Sequence, residues 1–321
     1  MTNWNDQPWS GVYPATLCPF HDDESIDEEG LATYIEEVAS VPGIEGVVCN
    51  GHTGEIMSLR PKERDQITSI VRAAADKANA STGRTVKAIT GVSAEGSYEA
   101  IDHAKSARDA GAEAILLMPP HHWLRFGRSA ETAVGFIQDV AEGSGVPIII
   151  HQYPAWTKAG YTLDEMLEMV KIPEVVSIKM GTRDMSRAQF DYEQLKAAAP
   201  QVSIITCHDE FLLPSLLEGA DGALIGFAGF VPELMVEIVH AALDGDLARA
   251  RKAREIVAPL ARLIYNFGEP GCGAHQRMKV ARWLMGRFPS PLFRRPIRPL
   301  SDVGIQDIRD QLKAIDYPVV R

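Results

Sequence analysis

Eight short runs of apolar, β-branched residues recur along the chain, each followed by a stretch with helical periodicity, and this alternation limits the fold more than any other feature. The runs are Gly11–Leu17, Ile44–Cys49, Thr85–Thr90, Ala114–Met118, Pro147–His151, Val175–Lys179, Val202–Thr206 and Gly222–Ile225. Amphipathic stretches separate them: Asp27–Ala39, Pro61–Ala80, Ser97–Ala110, Ala130–Gly143, Thr162–Val170, Met185–Ala198, Glu210–Glu218 and Pro232–Leu243. The runs are apolar throughout, as parallel strands covered on both faces must be. Pro61 suits a first helical position, Thr162 with Glu165 forms a capping-box pattern, and Gly111, Gly145 and Gly219 fall where helices stop. Eight strand–helix units with short connections predict an α/β fold, a (β/α)8 TIM barrel, with a doubly wound sheet as the alternative. Three more helical patterns follow, Asp246–Phe267, Cys272–Gly286 and Gly304–Ile315. The chain therefore reads as a barrel carrying the site over 1–243 and a C-terminal helical extension over 244–321.

Composition narrows the function classes. A formal charge of −11 over 321 residues argues against a nucleic-acid surface, and the one basic cluster, Arg294-Arg295-Pro296-Ile297-Arg298, reads as a surface turn. No apolar run approaches the ~20 residues of a membrane span, and the first ten residues carry no secretory pattern. With four widely spaced cysteines, Cys18, Cys49, Cys207 and Cys272, the expectation is a cytoplasmic protein with reduced thiols.

Lys179 closes the sixth run, Val175-Val176-Ser177-Ile178-Lys179. An inward ammonium at a strand end must be paired or must lose its proton, and a neutral amine attacks carbonyl carbon. A solvated or ion-paired strand-end lysine is the other reading. In a barrel the chemistry sits at the C-terminal ends of the strands. Those ends carry Asn50-Gly51-His52-Thr53-Gly54-Glu55, His121-His122, His151-Gln152-Tyr153-Pro154, Lys179 and Cys207-His208-Asp209-Glu210, so five of the nine histidines gather on one face.

With these residues in place the chain resembles the dihydrodipicolinate synthase and N-acetylneuraminate lyase family of Schiff-base aldolases. Gly11-Val12-Tyr13-Pro14-Ala15-Thr16-Leu17-Cys18-Pro19-Phe20 is similar to the family's opening motif, Gly51-His52-Thr53-Gly54-Glu55 to its Gly-Thr-Thr-Gly-Glu loop, and His151-Gln152-Tyr153-Pro154 to its Tyr-Asn-Val-Pro signature. Lys179 follows His151 by 28 residues, matching the family's tyrosine-to-lysine spacing. The likeness extends through Gly222-Ala223-Leu224-Ile225 to Met278-Lys279-Val280-Ala281. It implies that Lys179 condenses with pyruvate or another 2-keto acid and that the protonated imine serves as electron sink. It implies no cofactor, a small-molecule keto acid and aldehyde as partners, and a homo-oligomer, dimer or tetramer. The Gly51–Gly54 loop with Thr53 would hold the carboxylate, with Leu224 and His208 also at the substrate.

The chain also departs from the family pattern at its proton relay and at the aldehyde end. Where the family's proton relay uses two tyrosines and a threonine, this chain has His151, His122 and His52. Imidazole is competent as acid and base near neutral pH, so His151 is expected to transfer the proton, with His52 and His122 as relay. The same histidines could instead hold zinc, although no close ligand pair supports it and the lysine competes for the job. Trp156 stands where synthase members carry an arginine for a second carboxylate, which predicts against aspartate semialdehyde. Trp123, Phe126 and Trp156 suggest a bulky, flatter or less charged aldehyde. A dehydratase or hydratase-aldolase using the same imine, and a keto-acid-binding protein without turnover, remain the alternatives.

Overall fold

The computed structural model describes residues 4, 7–154, 157–265 and 273–321; Trp156 and Cys272 lie outside them. Eight parallel strands form the centre: β1 (Gly11–Pro14), β2 (Gly46–Cys49), β3 (Lys87–Val92), β4 (Ala114–Leu117), β5 (Ile148–Gln152), β6 (Val175–Met180), β7 (Ser203–Thr206) and β8 (Gly222–Ile225). From β2 to β8 each strand pairs with the next in sequence, and β1 pairs with β8. Bridges Val12–Ile44 and Ala15–Val48 bring β1 alongside β2 and close the sheet into a barrel. All eight sequence runs became strands, shifted by a few residues at their ends.

The strands alternate with α1 (Glu28–Ser40), α2 (Pro61–Thr82), α3 (Ser97–Asp109), α4 (Trp123–Phe126), α5 (Ala130–Ser144), α6 (Leu163–Met169), α7 (Met185–Ala198), α8 (Leu212–Leu217), α9 (Gly226–Phe230) and α10 (Pro232–Leu243). Pro61 starts α2, and Thr162 caps α6 with Glu165 closing the box. Gly145 ends α5 at φ 63°, a conformation only glycine adopts freely. The short α4 and α9 carry too few residues to show a helical period in the sequence. Beyond α10 come α11 (Leu247–Ile264), α12 (Ala274–Leu284) and α13 (Asp302–Ala314).

Burial on both faces explains the unbroken apolar runs. Ile148, Ile149 and Ile150 are fully buried, on both sides of the same strand. Each such side chain stabilises the fold by about 1.5–3 kcal/mol relative to exposure. The same register fixes the site. His151 on β5 pairs with Lys179 on β6, and registered residues of parallel strands face the same side. Gln152, facing the other way, accepts from the Gly181 amide at 3.0 Å and locks the end of β6 to β5.

Candidate active site

A cavity of about 540 Å³ opens at the C-terminal ends of the strands. Lys179 and His151 line it side by side, with Ala15 after β1, His52 and Thr53 after β2, Tyr153 and Pro154 after β5, Cys207 and Asp209 after β7, and Leu224 on β8. The opposite wall comes from the C-terminal helices: Tyr265 at the end of α11, and Ala274, His275 and Met278 on α12.

The loop bearing His52 and Thr53 is a compact turn. Gly54 and Ile56 amides donate to the Gly51 carbonyl at 3.1 and 3.2 Å, and the Glu55 amide donates to the His52 carbonyl at 3.0 Å. Asn50 and Glu55 bracket it with φ of 52° and 61°. Asn50 Nδ2 anchors the entry by donating to Thr90 Oγ1 at 2.7 Å and to the Arg64 carbonyl at 2.9 Å. Gly91 on β3 must be glycine, since a Cβ there would stand 2.0 Å from the Asn50 carbonyl oxygen. The turn itself uses the Gly54 amide, and His52 and Thr53 line the cavity.

A cluster of rings faces the lysine. The Tyr153 hydroxyl is hydrogen-bonded to His52 Nε2 at 2.7 Å, the His151 ring lies 4.8 Å edge-on from Tyr153, and His52 and His151 stand 5.5 Å apart between centroids. His151 Nδ1 is sealed from solvent with no hydrogen-bond partner among the described residues. Burial first, then the Lys179 charge, holds the His151 imidazole well below its ordinary range, so it is neutral at pH 7. His52 reaches the exposed rim of the cavity. Burial raises the Tyr153 phenol, which stays protonated and can donate.

On the far side, Asp209 accepts from the Tyr265 hydroxyl at 2.6 Å and from the Phe227 amide at 2.8 Å. Burial pushes its carboxyl up to about 6 despite these donors. Arg183 also lines the cavity and is ion-paired with Glu210. His275 is lowered by burial and by nearby Lys279, which leaves a neutral imidazole on this wall. The Cys207 thiol, pushed up to about 11 by burial, is not a thiolate at neutral pH. Among the described residues no group of three or more His, Cys, Asp or Glu is placed to hold a metal ion.

Of the residues singled out from sequence, Lys179, His151, His52, Thr53 and Leu224 meet around the cavity, with Gly51 and Gly54 shaping the turn behind Thr53. His122 does not join them. It caps α4 on the outer rim, where its Nδ1 and its amide each meet Glu95 Oε2 at 2.9 Å. His121 lies nearer, 6.4 Å from the His52 ring. His208 is also displaced: fully buried, it stacks on Phe211 at 4.2 Å and bonds Thr206 and Ser215 at 3.1 Å, leaving the wall to Asp209. Trp123 is buried against Phe136, Tyr161 and Arg128, while Phe126 is 76% exposed, so neither supplies the flat aldehyde pocket expected from them.

Tyr153, Asp209, Tyr265 and His275 were not assigned roles from sequence. Tyr153 was within reach of that reading, because a residue two beyond His151 faces the same side while the strand direction holds. Nothing in the order of residues announces that α12 folds back over the strand ends.

A lysine and a neutral histidine side by side at the strand ends of a (β/α)8 barrel, facing a chamber edged by a hydroxyl-bearing glycine turn, define a barrel lyase of the imine-forming type. The sequence matches the dihydrodipicolinate synthetase family over residues 8–315, and the chain belongs to that family of class I aldolases and lyases. It is 32% identical to the 4-hydroxy-tetrahydrodipicolinate synthase of Methanothrix thermoacetophila, over 94% of this chain and 95% of that one. It is 28% identical to the N-acetylneuraminate lyase of Rhizobium meliloti, over 95% of each. Among solved structures, YagE, a prophage protein of the dihydrodipicolinic acid synthase family from E. coli K12 in complex with pyruvate, superposes with a TM-score of 0.86 at 22% identity, covering 96% of this chain and 99% of that one. No helix among the described residues is long and apolar enough to cross a membrane.

Proposed function

We propose that the protein is an aldolase-type lyase that captures pyruvate or a related 2-keto acid as an imine on Lys179 and makes or breaks a carbon–carbon bond to an aldehyde. The carrying observation is the registered pair His151–Lys179 lining one cavity with Thr53. The Lys179 amine adds to the ketone carbon, and loss of water leaves a protonated imine. In the cleavage direction a base takes the proton from the hydroxyl two carbons beyond the imine carbon. The carbon–carbon bond next to that carbinol breaks, its electron pair enters the imine to give an enamine, and the aldehyde departs. Protonation of the enamine carbon and hydrolysis then release the keto acid and the free lysine.

Neutral His151 is the base in this reading, with the Tyr153 hydroxyl and His52 passing the proton toward the rim. Thr53 and the neighbouring amides hold the carboxylate. The imine supplies the electrophile, so the scheme uses no cofactor. Polar groups on the far wall, Asp209, Tyr265 and His275, suit a hydroxylated, uncharged aldehyde better than an aromatic one, and aspartate semialdehyde is expected to be a poor partner. The protein would work as a dimer or tetramer, with outward-facing His122 serving the site of a neighbouring copy.

Borohydride reduction in the presence of pyruvate, followed by peptide mapping, tests the reading. A pyruvate-derived adduct on Lys179 is expected. Its absence at saturating pyruvate, with pyruvate still protecting the fold against heat, would instead support a binding protein. Product analysis separates aldehyde release from loss of water with the carbon skeleton intact, which would mark a dehydratase.

A further inference from the structure

Glu55, the residue that ends the Gly51–Gly54 turn, is ion-paired with Lys279 on α12, and both side chains are wholly buried. The second carboxylate oxygen accepts from the Arg294 amide at 3.1 Å. Lys279 also donates to the Leu292 carbonyl at 2.8 Å and lies over the rings of Phe293 at 4.3 Å and Phe20 at 4.9 Å. On α12 it follows Met278 directly and sits one helical turn beyond His275, both of which line the cavity. None of the chemistry above uses this pair.

A buried ion pair contributes little net stability compared with apolar side chains of the same volume, because desolvating two charges offsets their attraction. What it supplies is a directional bond between two elements 224 residues apart in sequence. The place where it acts is strained, since Glu55 holds a left-handed backbone conformation that a non-glycine residue keeps only when its surroundings enforce it. We propose that the Glu55–Lys279 pair is a positioning device that sets the keto-acid carboxylate turn in register with α12, so that one buried bond fixes both the Thr53 side and the His275–Met278 side of the cavity. The proposal rests on the reading of that turn as the carboxylate holder.

Lys279→Met alone strands a buried carboxylate and is expected to fold poorly, so the informative variant is the double Glu55→Gln/Lys279→Met, which removes both charges at nearly constant volume. Two readouts are compared with the unsubstituted protein: the pyruvate concentration giving half-maximal borohydride adduct on Lys179, and hydrogen exchange along residues 51–58 and 274–284. The expected result is a folded variant whose half-saturating pyruvate rises about tenfold while the adduct yield at saturation is kept, as displacement of a ligand-holding turn by a fraction of an ångström requires. Exchange should quicken in both segments together. Unchanged half-saturation, or faster exchange confined to α12, overturns the proposal. If the unsubstituted protein forms no adduct at any pyruvate concentration, it is the imine reading that fails. Exchange then decides the coupling alone, with a joint rise in both segments supporting it and a rise in α12 only refuting it.

Discussion

The two walls of the cavity are built by different means. The strand wall, with Lys179 and His151, is set by hydrogen-bonded register between β5 and β6, where sliding by one residue would turn every side chain to the other face. The helical wall, with Tyr265, His275 and Met278, is set by packing of α11 and α12 over the barrel mouth and by single side-chain bonds such as Tyr265 to Asp209. Register is nearly all-or-none, whereas packing is adjustable. This difference suggests a division of labour in which the strand wall carries the chemistry common to every turnover and the helical wall selects the aldehyde.

Substitutions on each side can break or sharpen that division. Lys179→Ala should cost on the order of 10³-fold or more in kcat with any aldehyde and abolish the borohydride adduct. Residual turnover near the starting level would remove the strand wall from the chemistry. His151→Phe should lower kcat by on the order of 10²-fold while trapping of pyruvate persists, because proton transfer and not imine capture is lost. If trapping disappears as well, His151 shapes the lysine and is not the base. Tyr153→Phe breaks the hydrogen bond to His52 and is expected to cost about tenfold in kcat, within the range of one lost hydrogen bond.

On the helical wall, His275→Ala should raise KM for the aldehyde several-fold, by roughly the energy of one hydrogen bond. The pyruvate half-saturation should stay fixed. An equal effect on both substrates would show that the walls are not separate. The last effect concerns stability and not turnover. Burial lowers His208 to about 3, from an unfolded value near 6.5. Its folded state is therefore the neutral one. The unfolded chain binds the proton more readily below pH 6.5, so this contribution is complete above pH 6.5 and is lost as pH falls toward about 3. Urea unfolding between pH 7 and pH 5 should show His208→Gln losing about 2 kcal/mol less stability than the unsubstituted protein. Parallel pH curves would mean that His208 is not held neutral by the fold.

Sequence alone determined the barrel, because buried parallel strands need unbroken apolar runs and the helices between them need caps and stops that are local in the chain. It placed Lys179, His151, His52 and Thr53 together for the same reason: each ends a strand or follows one directly, and strand ends of a closed barrel share a face. Tertiary structure decided what local order cannot encode. Rotation of the loop after β4 sent His122 to the outer rim, the turn after β7 buried His208 and offered Asp209, and the return of α12 brought His275 over the mouth and Lys279 onto Glu55. Those placements depend on how distant surfaces fit, and the free energy of that fit belongs to pairs of segments and not to either segment alone.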